Sequence, residues 1–403
     1  MTILDETTDL IRLYEHLCGE SEVPKEYHQW AFLSLLASRV EDRVWLEKDK
    51  GNKLTPLLYV FLVGPPALGK GVAIGKVLKL GALASNGCIK SFNGSVTAAH
   101  LTDVLGGGKD SNFEDAECLI ANPKLWLVMD ELGADIGKGA IADSFIKLMT
   151  KLYTSPTGVP IDTGTRSHGS VRIVDPAVNW LAGTTDEWLI GSLTQESIYA
   201  GPTSRIVFVK AHYDLHKRYR RAVYPKDYDE VYEYIVAGLT NLQYRKGEFK
   251  MTDEAILKED TWYMNRPAPV EALVIPSWKR EQDLILKLAM LMVLSEGGPL
   301  VIDVRHIVRA MQASRAVQHN VSKVIELASK NTSTNMFSEV ESQIKRIGKV
   351  QHTFLSRLMR RRGITPKILK EIIESLAQEG QVKLSWSSTN AKQYEWVKEE
   401  EGK

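Results

Sequence analysis

The apolar run Leu57-Leu-Tyr-Val-Phe-Leu-Val63 leads into Gly64-Pro65-Pro66-Ala67-Leu68-Gly69-Lys70-Gly71-Val72, and a helical pattern follows. A phosphate chain needs main-chain N–H groups at close approach, a helix N-terminus and a mobile cation. A Gly-rich turn ending in Lys, between a buried strand and a helix, supplies all three. Residues 64–72 are therefore the candidate phosphate cradle, with Lys70 reaching the β- and γ-phosphates. Where such loops carry a Ser or Thr to hold Mg²⁺, this chain has Gly71. Mg²⁺ keeps several waters and leans on the phosphates themselves, so nucleotide binding survives the loss while slow hydrolysis becomes a competing expectation.

About sixty residues on, Lys124-Leu-Trp-Leu-Val-Met-Asp130-Glu131 reads as an apolar strand ending in two acids. Alone, such a pair is commonly a solvated strand exit. Beside a phosphate loop, Asp130 is placed to hold the metal and Glu131 to polarise an attacking water. A third apolar strand, in VNWLAGTT, ends in Thr184, a candidate to orient that water. Arg205 opens the strand RIVFV and is a candidate to stabilise charge on transferring phosphate, on a neighbouring subunit's nucleotide.

The elements needed to position these groups are short apolar runs at Leu57–Val63, Cys88–Phe92, Leu125–Asp130, Ala177–Gly183 and Arg205–Lys210, separated by helical stretches. That alternation predicts a parallel sheet with helices on both faces, an α/β fold. Residues 1–50 read as helices preceding the sheet, and 277–330 as an all-helical subdomain with stripes at Leu284, Leu288, Leu291, Met292 and at Val304, Ile307, Val308, Met311. The polar stretch NTSTN at 331–335 reads as a linker. Between these lies a basic-aromatic run, HYDLHKRYRRAVYPK.

The chain has 403 residues, with 51 Lys and Arg against 50 Asp and Glu, a net charge of +1, so any affinity for a polyanion must come from local patches. No apolar run approaches the roughly 20 residues of a membrane-spanning helix, and no membrane partner is expected. The acidic N-terminal stretch and the three unpatterned cysteines, Cys18, Cys88 and Cys118, lead us to expect no export and a reducing interior.

One patch is conspicuous. From Gln343 to Lys370 there are nine basic residues, among them Arg360, Arg361, Arg362, Lys367 and Lys370, and no acid. Thr365-Pro366 opens a helix with an Ile368, Leu369, Ile372, Ile373, Leu376 stripe. A hairpin at 382–397 follows, carrying Lys383. This segment resembles a winged-helix domain, which implies that the basic residues and Lys383 rest on DNA phosphates.

The order of motifs resembles AAA+ ATPases of the helicase branch. More closely, residues 20–330 resemble the P-loop ATPases of phages, plasmids and integrated elements that often accompany primase-polymerases. VPKEYHQWAFLSLLASRV, LLYVFLVGPPALGK, SFNGSVTAAHLTDVL, LWLVMDELG, YTSPTGVPIDTGTRSHGSVRIVDPAVNWLAGTT and PTSRIVFV carry that resemblance. It implies ATP and Mg²⁺ as cofactors and a ring, usually a hexamer. It also implies single-stranded DNA in a central channel, duplex at the winged helix, a primase or polymerase partner, and a bacterial host's cytoplasm. A channel hairpin at about Tyr153–Ile173 would present Arg166, His168 and Arg172 to the backbone. IDVRHIVRAMQASRA resembles the lid stretch of the minichromosome-maintenance type of replicative helicase, which would make Arg305 or Arg309 a second phosphate sensor. The implied divisions are an N-terminal helical segment (1–50), an ATPase core (51–225), a helical lid (226–330) and the winged helix (331–403). The function implied is an ATP-dependent helicase or translocase; the alternative is an ATP-binding initiator or loader with little hydrolysis.

Overall fold

A computed structural model describes residues 2–85, 96–106, 123–136, 140–154, 159–165, 169–192, 201–214, 216–362, 364–386 and 391–397. Within these ranges the side chains of 140, 163–165, 169–170, 190–192 and 327–335 are outside the description. The chain divides into two compact units, residues 1–326 and 327–403.

In the first unit, helix α1 (Leu10–Cys18) is capped by Asp9, whose carboxylate accepts from the Ile11 N–H at 3.0 Å, and stops at Gly19 (φ 62°). Helix α2 (Lys25–Val40) buries nearly every side chain from Tyr27 to Ala37. Strands β1 (Val44–Asp49) and β2 (Asn52–Leu54) form a hairpin. Then come β3 (Tyr59–Val63), α3 (Lys70–Ala84), α4 (Ala98–Leu105), β4 (Lys124–Met129), α5 (Leu132–Ile136), α6 (Ala140–Tyr153), the hairpin β5 (Ile161–Thr165) and β6 (Gly169–Ile173), β7 (Ala177–Thr184), α7 (Asp186–Ser192) and β8 (Ile206–Lys210). The unit continues with α8 (Tyr228–Leu242), β9 (Gly247–Met251), α9 (Asp253–Asn265), α10 (Ile275–Glu296), β10 (Val301–Ile302) and α11 (Val304–Ile347), within which the division between units falls.

The central sheet is parallel with order β4-β7-β3-β8. Strands β3 and β7 are buried throughout, as expected of inner parallel strands covered on both faces. One face presents Val60, Leu62, Leu181, Val207 and Val209 to the core shared with α2 and α3. The other presents Phe61, Trp180 and Phe208, packed edge to face with Phe145 of α6. Asn179 is buried in β7 and accepts from the Leu58 N–H at 2.9 Å, tying β7 to the entrance of β3. The mixed α/β architecture with a parallel sheet is thus as the spacing predicted; the Cys88–Phe92 run, and with it Cys88 and Cys118, lies outside the described residues, while Cys18 is buried.

Four expectations need correction. Residues 1–50 are not all helical, and 277–330 is not all-helical, because β1 and β10 belong to a second sheet of order β10-β9-β1-β2. Its strands are short, and β1 pairs with β9 about two hundred residues away (Val44 with Gly247), so no local periodicity announces them. The hairpin begins at Ile161 rather than near Tyr153, because the apolar period of α6 carries that helix through Tyr153. Residues 331–335 are no linker: α11 is helical through them. Ser, Thr and Asn each cost only about 0.5–0.7 kcal/mol in a helix and NTSTN contains neither Gly nor Pro; buried Val321, Val324 and Ile325 before it, and Val340 and Ile344 after it, keep the helical period.

The second unit contains β11 (Lys349–Gln351), α12 (His352–Arg360), α13 (Pro366–Gln378), β12 (Val382–Trp386) and β13 (Lys392–Trp396). Thr365 caps α13 by accepting from the Ile368 N–H, Pro366 occupies the first turn, and Leu369, Ile372, Ile373 and Leu376 are buried, as the sequence predicted. The strands form an antiparallel sheet of order β11-β13-β12, closed over a core that includes Val350, Leu355, Met359 and Tyr394.

Beneath the first unit's N-terminal helices, His28 is 3% exposed, with Tyr14 Oη 3.4 Å from its Nδ1. Burial, aided by Lys76 and Lys217, holds its pKa down from 6.5 to about 4. Between those values the unfolded chain binds a proton that the folded chain refuses, so His28's contribution is complete above pH 6.5 and falls as the pH drops toward 4. A window of that width corresponds to a loss on the order of 3 kcal/mol. Urea titrations from pH 7 to pH 4 should show this decline, and His28→Gln should flatten it; an unchanged slope in the variant would assign the decline to other groups.

Candidate functional site

A parallel sheet delivers all its strand C-termini to one edge. Because β7 lies between β3 and β4, the loop after β3, Thr184 at the end of β7 and the acids after β4 meet there. They line a cleft of about 560 Å³ with Pro66, Ala67, Leu68, Gly69, Lys70, Gly71, Val72, Asp130, Glu131 and Thr184 in its wall. That volume falls in the range of small-ligand sites, about 300–1,000 Å³. Of the residues singled out for the cradle, Gly64 and Pro65 do not line the cleft but hold its lysine. Lys70 Nζ donates to the carbonyls of Gly64 and Pro65 at 2.7 and 2.8 Å. Burial lowers the Lys70 pKa, while Glu131 and Asp130 act in the opposite sense.

The loop is shaped by close approaches. Ala67 (φ 61°) and Gly69 (φ 90°) adopt left-handed backbone, which for Ala costs on the order of 1–2 kcal/mol and is the kind of strain found at functional loops. A Cβ on Gly69 would lie 2.7 Å from a methyl of Val23, and one on Gly64 would lie 2.4 Å from Tyr27 Oη. The Tyr27 hydroxyl donates to the Val63 carbonyl at 2.7 Å, and burial pushes its pKa well up. On the outer side Tyr213, an exposed residue, donates to the Pro66 carbonyl. Val23, Tyr27 and Tyr213 were not anticipated; no spacing rule links them to the loop. Gly183 and Trp188, also in the cleft wall, follow from the same strand exit as Thr184.

The acids stand at the exit of β4, both exposed. Their negative charge, after burial, raises the pKa of nearby Asp135. Thr184 is 2% exposed, and its hydroxyl has no partner among the described residues. A buried hydroxyl without a partner is costly unless a water or ligand supplies one. Among the described residues no three His, Cys, Asp or Glu side chains gather to hold a metal by themselves. The donor set therefore fits a hard cation that shares its ligands between one or two carboxylates and bound phosphates. Main-chain N–H groups, Lys70 and the start of α3 fit the phosphates.

Arg205 is not in this cleft. It lies beside Arg280 and Tyr153 in a separate small cavity, with Nη1 donating to the Gly201 carbonyl at 2.6 Å and a buried Nε that has no partner among the described residues. Burial, then Arg280, lowers its pKa. Arg166 and His168 lie outside the described residues. Arg172 is paired across the β5–β6 hairpin with Asp162 at 2.9 Å. Arg305 and Arg309 pair with Glu296, and Arg309 also with Asp9.

In the second unit Arg360, Arg361, Arg362, Lys367, Lys370 and Lys383 are all exposed. Arg362 pairs with Glu339, and Lys370 with Glu374 at 3.7 Å. Arg360, Arg361, Lys367 and Lys383 have no ion-pair partner among the described residues.

No protein-family profile matches the chain, and no curated protein does. Among solved structures the chain is similar to a full-length MCM homologue from Methanopyrus kandleri, with a TM-score of 0.41 and 16% identity over 79% of this chain. It spans 61% of the length of that protein.

Two glycines near the cleft should respond oppositely to a methyl group. A Cβ on Gly183 would lie 2.3 Å from the Asp130 carbonyl oxygen, whereas one on Gly75 in α3 would meet nothing within 4 Å. Gly183→Ala should destabilise the protein by about 1–3 kcal/mol by forcing β4 from β7, and Gly75→Ala should stabilise it by about 0.5–1 kcal/mol. Denaturant midpoints of the two variants would check the contrast.

Proposed function

We propose that this chain is an ATP-dependent DNA helicase or translocase of the AAA+ type, acting in replication of a phage or other mobile element. The observation that carries the reading is the meeting of Lys70, Thr184, Asp130 and Glu131 around one cleft at one edge of the parallel sheet. In this reading the main chain of residues 64–72 and Lys70 bind the ATP phosphates, and Lys70 trades its loop carbonyls for phosphate oxygens. Asp130 and the phosphates hold Mg²⁺, which supplies charge neutralisation when bound. Glu131 accepts a proton from the attacking water, and Thr184 orients that water.

The remaining assignments belong to the same proposal. Arg205, away from its own subunit's cleft and with an unused buried N–H, serves the nucleotide of a neighbouring subunit in a hexameric ring. The hairpin carrying Arg166, His168 and Arg172 follows single-stranded DNA. The second unit is a winged helix whose Arg360, Arg361, Lys367 and Lys383, without ion-pair partners among the described residues, rest with Arg362 and Lys370 on duplex phosphates. Residues 1–50, 51–225 and 226–330 act as N-terminal segment, ATPase core and lid. A primase or polymerase is the partner, and the bacterial host's cytoplasm the setting. Among the described residues no helix is long and apolar enough to cross a membrane.

ATP turnover measured with and without single-stranded DNA tests the reading. Glu131→Gln should lower kcat by about 10²–10⁴-fold while ADP still binds, and Lys70→Ala should abolish tight nucleotide binding. Wild-type protein that binds ATP but hydrolyses it no faster than Glu131→Gln would move the assignment to an initiator or loader. For the second unit, the variant carrying Arg360→Ala, Arg361→Ala and Lys367→Ala should bind duplex more weakly and reduce the slope of log K against log salt by about 1 per lost phosphate contact.

A further inference from the structure

The position after Lys70 lacks the usual hydroxyl, and the structure shows what fills its space. A Cβ built on Gly71 would lie 2.8 Å from Asp130 Oδ1 and 3.0 Å from Oδ2. The carboxylate reaches from the exit of β4 onto the first turn of α3, where a serine or threonine side chain would begin. Among the described residues it has neither a hydrogen bond nor an ion pair. Crowding is not general along this helix, since Gly75, one turn later, has open space around its own Cβ position. Thr184, 2% exposed and in the same cleft wall, holds a hydroxyl that has no partner among the described residues, a second polar group beside the cleft that the described residues leave unsatisfied.

We infer that Asp130 takes over the inner metal-ligand role of the missing hydroxyl, and that Gly71 leaves open the space its carboxylate occupies, so that a side chain there shifts the carboxylate off that position. This rests on the nucleotide reading above. A carboxylate is a harder and more strongly charged oxygen ligand than a hydroxyl, which suits Mg²⁺. Gly71 and Asp130 are then one device, and the departure at residue 71 is no defect in metal binding.

The test is calorimetric titration of ADP into wild type, Gly71→Ala, Asp130→Asn and the double variant, with Mg²⁺ or with EDTA. Electron paramagnetic resonance of Mn²⁺ with ADP reads the bound metal directly, and circular dichroism confirms that each variant folds. The quantity compared is each protein's own ratio of ADP affinity with Mg²⁺ to ADP affinity in EDTA, so that any change Gly71→Ala makes to the main-chain phosphate contacts divides out. With Mg²⁺, wild type should tighten, and each single variant should lose about tenfold or more of that gain together with its bound Mn²⁺. The double variant should be within about twofold of the weaker single variant, because both changes remove one interaction. A Gly71→Ala protein that keeps the full Mg²⁺ gain and its Mn²⁺ overturns the inference, as do losses that multiply in the double variant. Wild type that binds ADP under neither condition instead overturns the nucleotide reading itself.

Discussion

The order in which parallel strands lie side by side is the constraint on which the site depends. With β7 inserted between β3 and β4, residues far apart in the chain leave the sheet at the same edge. Lys70, Thr184 and the Asp130–Glu131 pair need no long loop to meet; the hydrogen-bonded ladder sets their spacing. Glycines then decide how closely the parts approach. Gly183 lets β7 lie against the Asp130 carbonyl, and Gly71 admits the Asp130 carboxylate.

The second contribution comes from the helices before the sheet. Helix α2 packs on the sheet face opposite the aromatic cluster, and its Tyr27 hydroxyl satisfies the last carbonyl of β3. Val23 closes the space behind Gly69. Trp126 in β4 donates to Ser34 of α2 at 3.0 Å, so the same helix also steadies the strand that carries the acids. On the far side of the sheet Lys287 of α10 is 4% exposed and donates to the Leu57 carbonyl and to the Tyr153 hydroxyl, both at 2.8 Å, fixing the approach to β3.

What was legible in the sequence was local. The buried strand before Gly64, the acids closing the strand at Asp130 and the cap at Thr365-Pro366 each bind their signal into a few adjacent residues, and the structure places them accordingly. Pairing between distant segments was not legible. Strand β1 has only two buried positions and finds its partner β9 after an interval in which nothing repeats. The contact between Gly71 and Asp130 is likewise invisible to spacing, because it depends on which strand lies beside which. The continuity of α11 through 331–335 is hidden in the sequence because polar composition resembles a linker when the flanking stripes are considered one at a time.

The brace formed by Tyr27 and Val23 lies ahead of the loop in the chain. During synthesis α2 leaves the ribosome before β3 does, so the residues that brace the phosphate loop are already available when the unit containing both condenses. A circularly permuted chain beginning near residue 50 would reverse that order and deliver the loop before the residues that brace it.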